Sequence, residues 1–285
     1  MNQSDGSKLL ISLSLPKTGT TYLSGLLEKM DFCSVGDIKE PTFFGKRVYT
    51  GGVTLKKVVA NGNLDKGIEW YKAIFDRGEG ISVLVDMSTQ YWMCPEAVID
   101  QAVVAGVGEP VFINIRREPQ AQLISYLAHL RRGYIPPKGL ALLSTLDSSF
   151  LDYLMKMSRW TETYSDLQKK YPNVQFVEVD FSELVKEPES VLGDILGEIG
   201  VEIKTCSYLG LEHADRNKMS APLIGWLNHL VFSESLRNVG RKMPSSIYTR
   251  LIKLRKALVK ANLKEGRSKY YDEDCCFIEK MISSS

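Results

Sequence analysis

Lys8-Leu9-Leu10-Ile11-Ser12-Leu13-Ser14-Leu15-Pro16-Lys17-Thr18-Gly19-Thr20-Thr21 is the stretch on which the fold of this chain turns. The run from Lys8 to Leu15 is short and apolar and stops at a proline, the pattern of a strand buried on both faces in a parallel sheet. After Gly19 the apolar residues recur as Tyr22-Leu23, Leu26-Leu27 and Met30, a helical spacing. The unit therefore reads strand, tight turn, helix.

Such a junction exposes unpaired backbone N–H groups at the positive end of the helix dipole. Gly19 lets the backbone approach a bound anion, Thr20 and Thr21 add hydroxyl donors, and Lys17 adds a point charge. The segment Pro16 to Thr21 is thus a candidate phosphate cradle. It departs from G-x-x-x-x-G-K-[ST], in which the lysine follows the second glycine, because here Lys17 precedes Gly19. That argues against a nucleotide kinase or ATPase.

Further apolar runs extend the pattern outward. Strands are predicted at Ile81–Asp86, Pro110–Ile115 and Val174–Val179, and helices at Gln120–Leu130, Phe150–Lys170 and Glu189–Ile199. Alternation of this kind implies an α/β fold of the P-loop type, three layers with a mainly parallel central sheet between helices. From Pro222 on only helices are read, at Ile224–Val231, Ile247–Leu258 and Asp272–Ile282. No Pro/Gly/Ser linker sets them apart, so 1–285 is read as one domain: an α/β nucleotide-binding core over 7–200 and a helical extension over 201–285.

Bulk composition narrows the partners. A net charge of +2 over 285 residues gives no reason to expect a nucleic acid or a membrane surface, so anion binding has to come from local cations. Cys33, Cys94, Cys206, Cys275 and Cys276 form an odd set without C-x-x-C or Cys/His metal spacing, which suits thiols in a reducing cytoplasm. The polar N-terminus is not a signal peptide, and no apolar stretch approaches the roughly 20 residues that cross a bilayer.

Pro16-Lys17-Thr18-Gly19-Thr20-Thr21 after a strand resembles the 5′-phosphosulfate loop of sulfotransferases that use 3′-phosphoadenosine 5′-phosphosulfate (PAPS). By that resemblance Lys17 grips the bridging oxygen and the 5′-phosphate, and the N–H groups of Lys17 to Thr21 cradle the phosphate. Arg117-Glu118-Pro119 followed by Ser125 is similar to the family's second signature, which implies that Arg117 and Ser125 bind the 3′-phosphate. Tyr126 falls one position early for that signature, and Gln122 stands where relatives often carry a second basic residue.

His129, His213 and His229 all lie beyond the second strand. The branch acting on small phenols and steroids uses a histidine before it. Lys39-Glu40-Pro41-Thr42-Phe43-Phe44 instead resembles a segment of the carbohydrate sulfotransferases, which implies Glu40 as general base. The flanking phenylalanines would desolvate its carboxyl. Gly67-Ile68-Glu69-Trp70-Tyr71 and Asp86-Met87-Ser88-Thr89-Gln90-Tyr91 are similar to two further elements of that branch. Met87 stands in place of a lysine and Thr89 in place of a proline. Trp70 and Tyr71 suit either core aromatics or sugar platforms. Phe176 to Leu184 with Pro188 resembles the family's fourth strand and its connection. His213–Ser220 falls where relatives place a nucleotide-contacting loop.

The resemblance implies a sulfotransferase that moves a sulfuryl group from PAPS to a hydroxyl or amine of a glycan or glycoconjugate and releases adenosine 3′,5′-bisphosphate (PAP). No metal is expected, because cations and N–H groups supply the charge stabilisation. Two readings compete: an inactive relative that only binds nucleotide or glycan, for which Met87 and Gln122 speak, and an ATP-dependent kinase, which would require magnesium.

Overall fold

A computed structural model describes residues 6–201, apart from 39, 52–53, 62, 76–77 and 134–147. The helices read beyond Pro222, the 213–220 loop, Cys206, Cys275, Cys276, His229 and Lys39 lie outside the described residues. No helix among the described residues is long and apolar enough to cross a membrane.

The apolar runs become the strands of one sheet: β1 (Lys8–Ser12), β2 (Cys33–Ser34), β5 (Val83–Asp86), β6 (Glu109–Arg116) and β7 (Gln175–Asp180). Their order is β2-β5-β1-β6-β7, and each neighbouring pair is parallel. Leu9 of β1 faces Leu84 on one side and Pro110 on the other. Leu9, Leu10 and Ile11 are wholly buried, as a central strand covered on both faces requires.

Helices supply that cover. On one face Leu10, Val83, Val85, Val111, Ile113 and Val177 pack with Leu23, Leu26 and Leu27 of α1 (Thr20–Leu27), and with Leu184, Leu192 and Ile195. Leu184 lies on α7 (Phe181–Lys186), the other two on α8 (Pro188–Glu198). Each leucine so buried contributes about 2 kcal/mol. On the other face are α3 (Pro95–Ala105), which buries Val98, Ile99 and Ala102, and α6 (Trp160–Lys170). Tyr164 of α6 donates to the carbonyl of Phe112, and its ring meets Phe176 edge-on at 5.6 Å. Burial raises the Tyr164 phenol, so it stays a donor.

The predicted helix over Phe150–Lys170 is in fact two, α5 (Ser148–Ser158) and α6, separated at Arg159. Arg159 leaves the helical conformation at φ −96° and ψ 12°, and Trp160, the first residue of α6, is anchored to the sheet by its indole N–H, which reaches Asn114 Oδ1 on β6 at 3.1 Å. The sequence reading also passed over β2 and a separate two-stranded sheet, β3 (Lys46–Gly51) with β4 (Thr54–Asn61). The Gly51-Gly52 pair between β-branched residues was the available hairpin signal. A short helix, α2 (Ile68–Ile74), precedes β5.

The described chain divides into two units. One takes the residues up to Tyr49, Lys56–Glu118 and those from Arg159; the other takes Thr50–Leu55 and Pro119–Ser158. In the second, α4 (Pro119–Gly133) and α5 meet through Tyr126 and Tyr153, whose rings lie 5.9 Å apart and whose hydroxyls hydrogen-bond at 3.3 Å.

The strand order matters for function. The chain leaves β1 toward β2 on one side, whereas β6 leads to β7 on the other. Ligands of open α/β sheets bind at the carboxyl ends of strands where the connections diverge in this way. Here that point is the end of β1 beside the end of β6.

Candidate functional site

At the end of β1 the chain rises into the turn that precedes α1. The stem is fastened to β6, because Leu13 N–H donates to the Ile113 carbonyl at 2.9 Å and Ile115 N–H donates to Ser14 Oγ at 2.9 Å. Thr18 Oγ1 then folds back onto the Leu15 carbonyl at 2.7 Å. Lys17 has φ 72°, a left-handed conformation that a lysine adopts only at a cost, and Gly19 has φ 106°. A Cβ on Gly19 would also stand 2.8 Å from the Phe181 ring, so the position requires glycine twice over. Gly19 is the N-cap of α1 and offers no side chain to cap that end, so the positive end of the helix dipole faces the turn.

Arg117, the first residue beyond β6, comes to this turn. Its Nη1 donates to the Lys17 carbonyl at 2.8 Å, and its guanidinium carbon stands 4.4 Å from the centroid of the Phe181 ring. Burial pulls the guanidinium below its ordinary pKa while Glu118 pulls it back up. Arg116, its neighbour, turns instead to Glu178 on β7 at 3.4 Å. The structure therefore joins Lys17, Gly19 and Arg117 through Phe181, a residue that the sequence reading assigned only to a structural stretch. Ser125 lies on α4 in the second unit; its Oγ is buried with no hydrogen-bond partner among the described residues.

Glu40 stands on a segment held from behind. Asp86, at the end of β5, is wholly buried and receives four hydrogen bonds. Ser88 N–H and Ser88 Oγ donate to Oδ1 at 3.0 and 2.6 Å; Tyr71 and Tyr91 donate to Oδ2 at 2.8 and 2.7 Å. Those donors then accept from the Glu40 segment: Thr42 N–H gives to Ser88 Oγ at 2.9 Å, and Phe43 N–H gives to Tyr91 OH at 2.9 Å. Every proton in this network has one direction, and a buried group so committed is costly to disturb.

Burial raises the Asp86 carboxyl above its ordinary value, while the bonds from Ser88, Tyr91 and Tyr71 pull it down. Burial, followed by the charge of Asp86, pushes both phenols well up, which keeps them as donors. The rings add packing: Phe43 stacks on Tyr71 at 4.5 Å, and Phe44 meets Tyr71 edge-on at 5.0 Å. Such aromatic pairs contribute about 1 kcal/mol each.

Above this base Thr89 Oγ1 donates to Glu40 Oε2 at 3.3 Å. Thr89 thus touches the carboxylate. Tyr71 is a core residue bound to Asp86, whereas Trp70 is half-buried with Lys66 Nζ 4.2 Å above its ring. Met87 packs in the core with Leu10 and Val85, so position 87 directs an apolar side chain into the protein. An open groove of about 600 Å³ between α3 and α6, lined by Cys94, Glu96, Thr163 and Lys170 among others, includes none of the residues of either loop.

Neither a protein-family model nor a curated protein matches the sequence. Among solved structures the chain is similar to a sulfotransferase from Alicyclobacillus acidocaldarius, at 17% identity and a TM-score of 0.52, over 93% of this chain and 98% of that one. It is also similar to the sulfotransferase domain from the curacin biosynthetic pathway, at 14% identity and a TM-score of 0.45, over 73% of this chain and 81% of that one. Mouse sulfotransferase SULT7A1 complexed with PAP is similar at 19% identity and a TM-score of 0.38, over 70% of this chain and 61% of that one. The first of these likenesses establishes a shared fold.

Proposed function

We propose that this chain is a PAPS-dependent sulfotransferase, one domain over 1–285, that transfers a sulfuryl group to a hydroxyl or amine of a glycan or glycoconjugate. The observation that carries the reading is the meeting of Arg117 with the Lys17 carbonyl at the switch point of the sheet. A cation-bearing glycine turn and a second cation at one crevice suit a ligand with two separate phosphates.

In this reading the 5′-phosphosulfate lies against Pro16, Lys17, Thr18, Gly19, Thr20 and Thr21, and the 3′-phosphate takes Arg117 and Ser125. The Ser125 Oγ, buried without a hydrogen-bond partner among the described residues, and Gly19, where a Cβ would meet the Phe181 ring, both fit such a ligand. The acceptor oxygen forms its bond to sulfur as the bond from sulfur to the 5′-phosphate oxygen breaks. Glu40 takes the acceptor proton, and Lys17 and the turn's N–H groups stabilise the charge left on the phosphate. PAP leaves.

The glycan acceptor rests on the Glu40 segment and on half-buried Trp70, whose ring suits a sugar face. Thiols at Cys33 and Cys94 support a cytoplasmic setting. Met87 in the core favours one second reading, a relative that binds nucleotide without turnover.

Calorimetry of the full chain with PAP and with ADP, each with and without magnesium, tests the nucleotide. Tight, metal-independent binding of PAP alone is expected; a preference for magnesium-ADP would replace this reading with a kinase. Sulfur-label transfer from PAPS to a panel of polysaccharides separates the enzyme from the inactive relative.

A further inference from the structure

We propose that Arg117 is a positioning residue for the phosphate turn, clamping the Lys17 peptide so that the two anion contacts of the site act as one mechanical unit. This rests on the reading that the turn binds a 5′-phosphate. The argument starts from the peptide plane. In a trans peptide the carbonyl of one residue and the N–H of the next point in opposite directions. The bond from Arg117 Nη1 to the Lys17 carbonyl at 2.8 Å therefore also fixes the Thr18 N–H, aiming it away from the guanidinium.

Without that bond a carbonyl at the mouth of an anion site is a hazard, because its negative end repels the ligand. The left-handed φ of 72° at Lys17 is a conformation that needs holding in place. Two contacts hold it. Thr18 Oγ1 closes the near side onto the Leu15 carbonyl at 2.7 Å, and Arg117 closes the far side from a position 100 residues further along the chain.

Phe181 completes the clamp. Its ring lies 4.4 Å from the guanidinium carbon, and the same ring is what a Cβ at Gly19 would strike at 2.8 Å. One aromatic side chain, on the first turn of α7, thus sets both the height of Arg117 and the approach of the glycine. A guanidinium carries five N–H groups, so the bond to Lys17 leaves donors for a 3′-phosphate. A 3′-phosphate drawn to Arg117 tightens the turn that grips the other end of the same nucleotide.

The test begins with hydrogen exchange in the ligand-free chain. Arg117→Ala is expected to speed amide exchange in the 15–23 segment at least about tenfold, as an opening that loses its latch would. Phe181→Leu, which leaves the guanidinium in place, is expected to speed it about threefold and decides the matter where Arg117→Ala does not fold. Exchange within twofold of the parent in a folded variant overturns the clamp.

Calorimetry then divides the roles. Adenosine 5′-phosphosulfate has no 3′-phosphate, so a residue serving only that group would leave its affinity unchanged. With the clamp, Arg117→Ala weakens both adenosine 5′-phosphosulfate and PAP, the first about fivefold and the second more. Loss of PAP affinity alone overturns the clamp while the nucleotide reading stands. A parent chain that binds neither compound ends the nucleotide reading, and hydrogen exchange still judges the clamp.

Discussion

The Lys17 turn follows the end of β1, the Glu40 segment is tied to residues just past the end of the neighbouring β5, and the two are built on different plans. The turn is made largely by its own backbone: a left-handed lysine, a glycine no other residue can replace, and a threonine bonded three residues back. Its distant supports are Arg117 and Phe181. The Glu40 segment also has a left-handed residue, Thr42 at φ 45°, whose Oγ1 donates to the Glu40 carbonyl at 3.3 Å, but more of its bonds come from far along the chain. It is suspended from Ser88, Thr89 and Tyr91 by bonds spanning 46, 49 and 48 residues, and Ser88 and Tyr91 hang in turn on Asp86. A local device tolerates change around it and fails when its own residues change; a suspended one fails when its anchor does.

The largest expected effect is at the local device. For the proposed sulfotransferase, Lys17→Ala should lower sulfuryl transfer at least about a thousandfold, some 4 kcal/mol of barrier, while the thermal midpoint stays put. A label-transfer assay beside a melting curve reads both, and near-normal turnover would remove Lys17 from the chemistry. Next comes Glu40→Gln. Turnover should drop by about two to three orders of magnitude with PAP affinity unchanged within twofold. Equal losses of turnover and affinity would make Glu40 a binding group.

Asp86→Asn breaks the other plan. It puts N–H donors where a carboxylate oxygen now receives two bonds, and an orphaned buried donor costs about 3 kcal/mol in all. A lowered unfolding midpoint together with weakened turnover is expected, and retention of the midpoint would show that the segment holds itself. Tyr91→Phe is the mildest. It removes one hydroxyl, leaving the Phe43 N–H unsatisfied, for about 1–2 kcal/mol read by denaturant unfolding. A stability equal to the parent would assign the suspension to Ser88 and Thr89.

This contrast also explains what could be read in the sequence. The sheet was legible because Lys8–Leu15, Ile81–Asp86, Pro110–Ile115 and Val174–Val179 are apolar runs too short for helices, and the observed strands begin and end within three residues of them. The turn's conformation was legible for the same reason: glycine and the strand-helix junction are local signals. The Asp86 network was not. Nothing near Asp86 announces that two tyrosines and a serine converge on it, since Tyr71 lies 15 residues before it and the segment it serves lies further still. The anchoring of Trp160 at the start of α6 was invisible likewise, because its partner Asn114 lies 46 residues away. Arg117 could be identified as a cation at a strand end, but its bond to a carbonyl 100 residues earlier could not.

The placement of β1 carries a consequence for how the protein is made. β1 leaves the ribosome first among the strands, yet it sits between β5 and β6, and the bond from Ile115 to Ser14 joins residues 101 apart. At roughly 5–20 residues per second, synthesis leaves that apolar strand without its second neighbour for about 5–20 s. A chain arrested at residue 105 should therefore be cut by protease near Leu9–Ile11, and one arrested well past β6 should resist. In the interval the newborn chain is a client for whatever in the cell shelters exposed apolar segments.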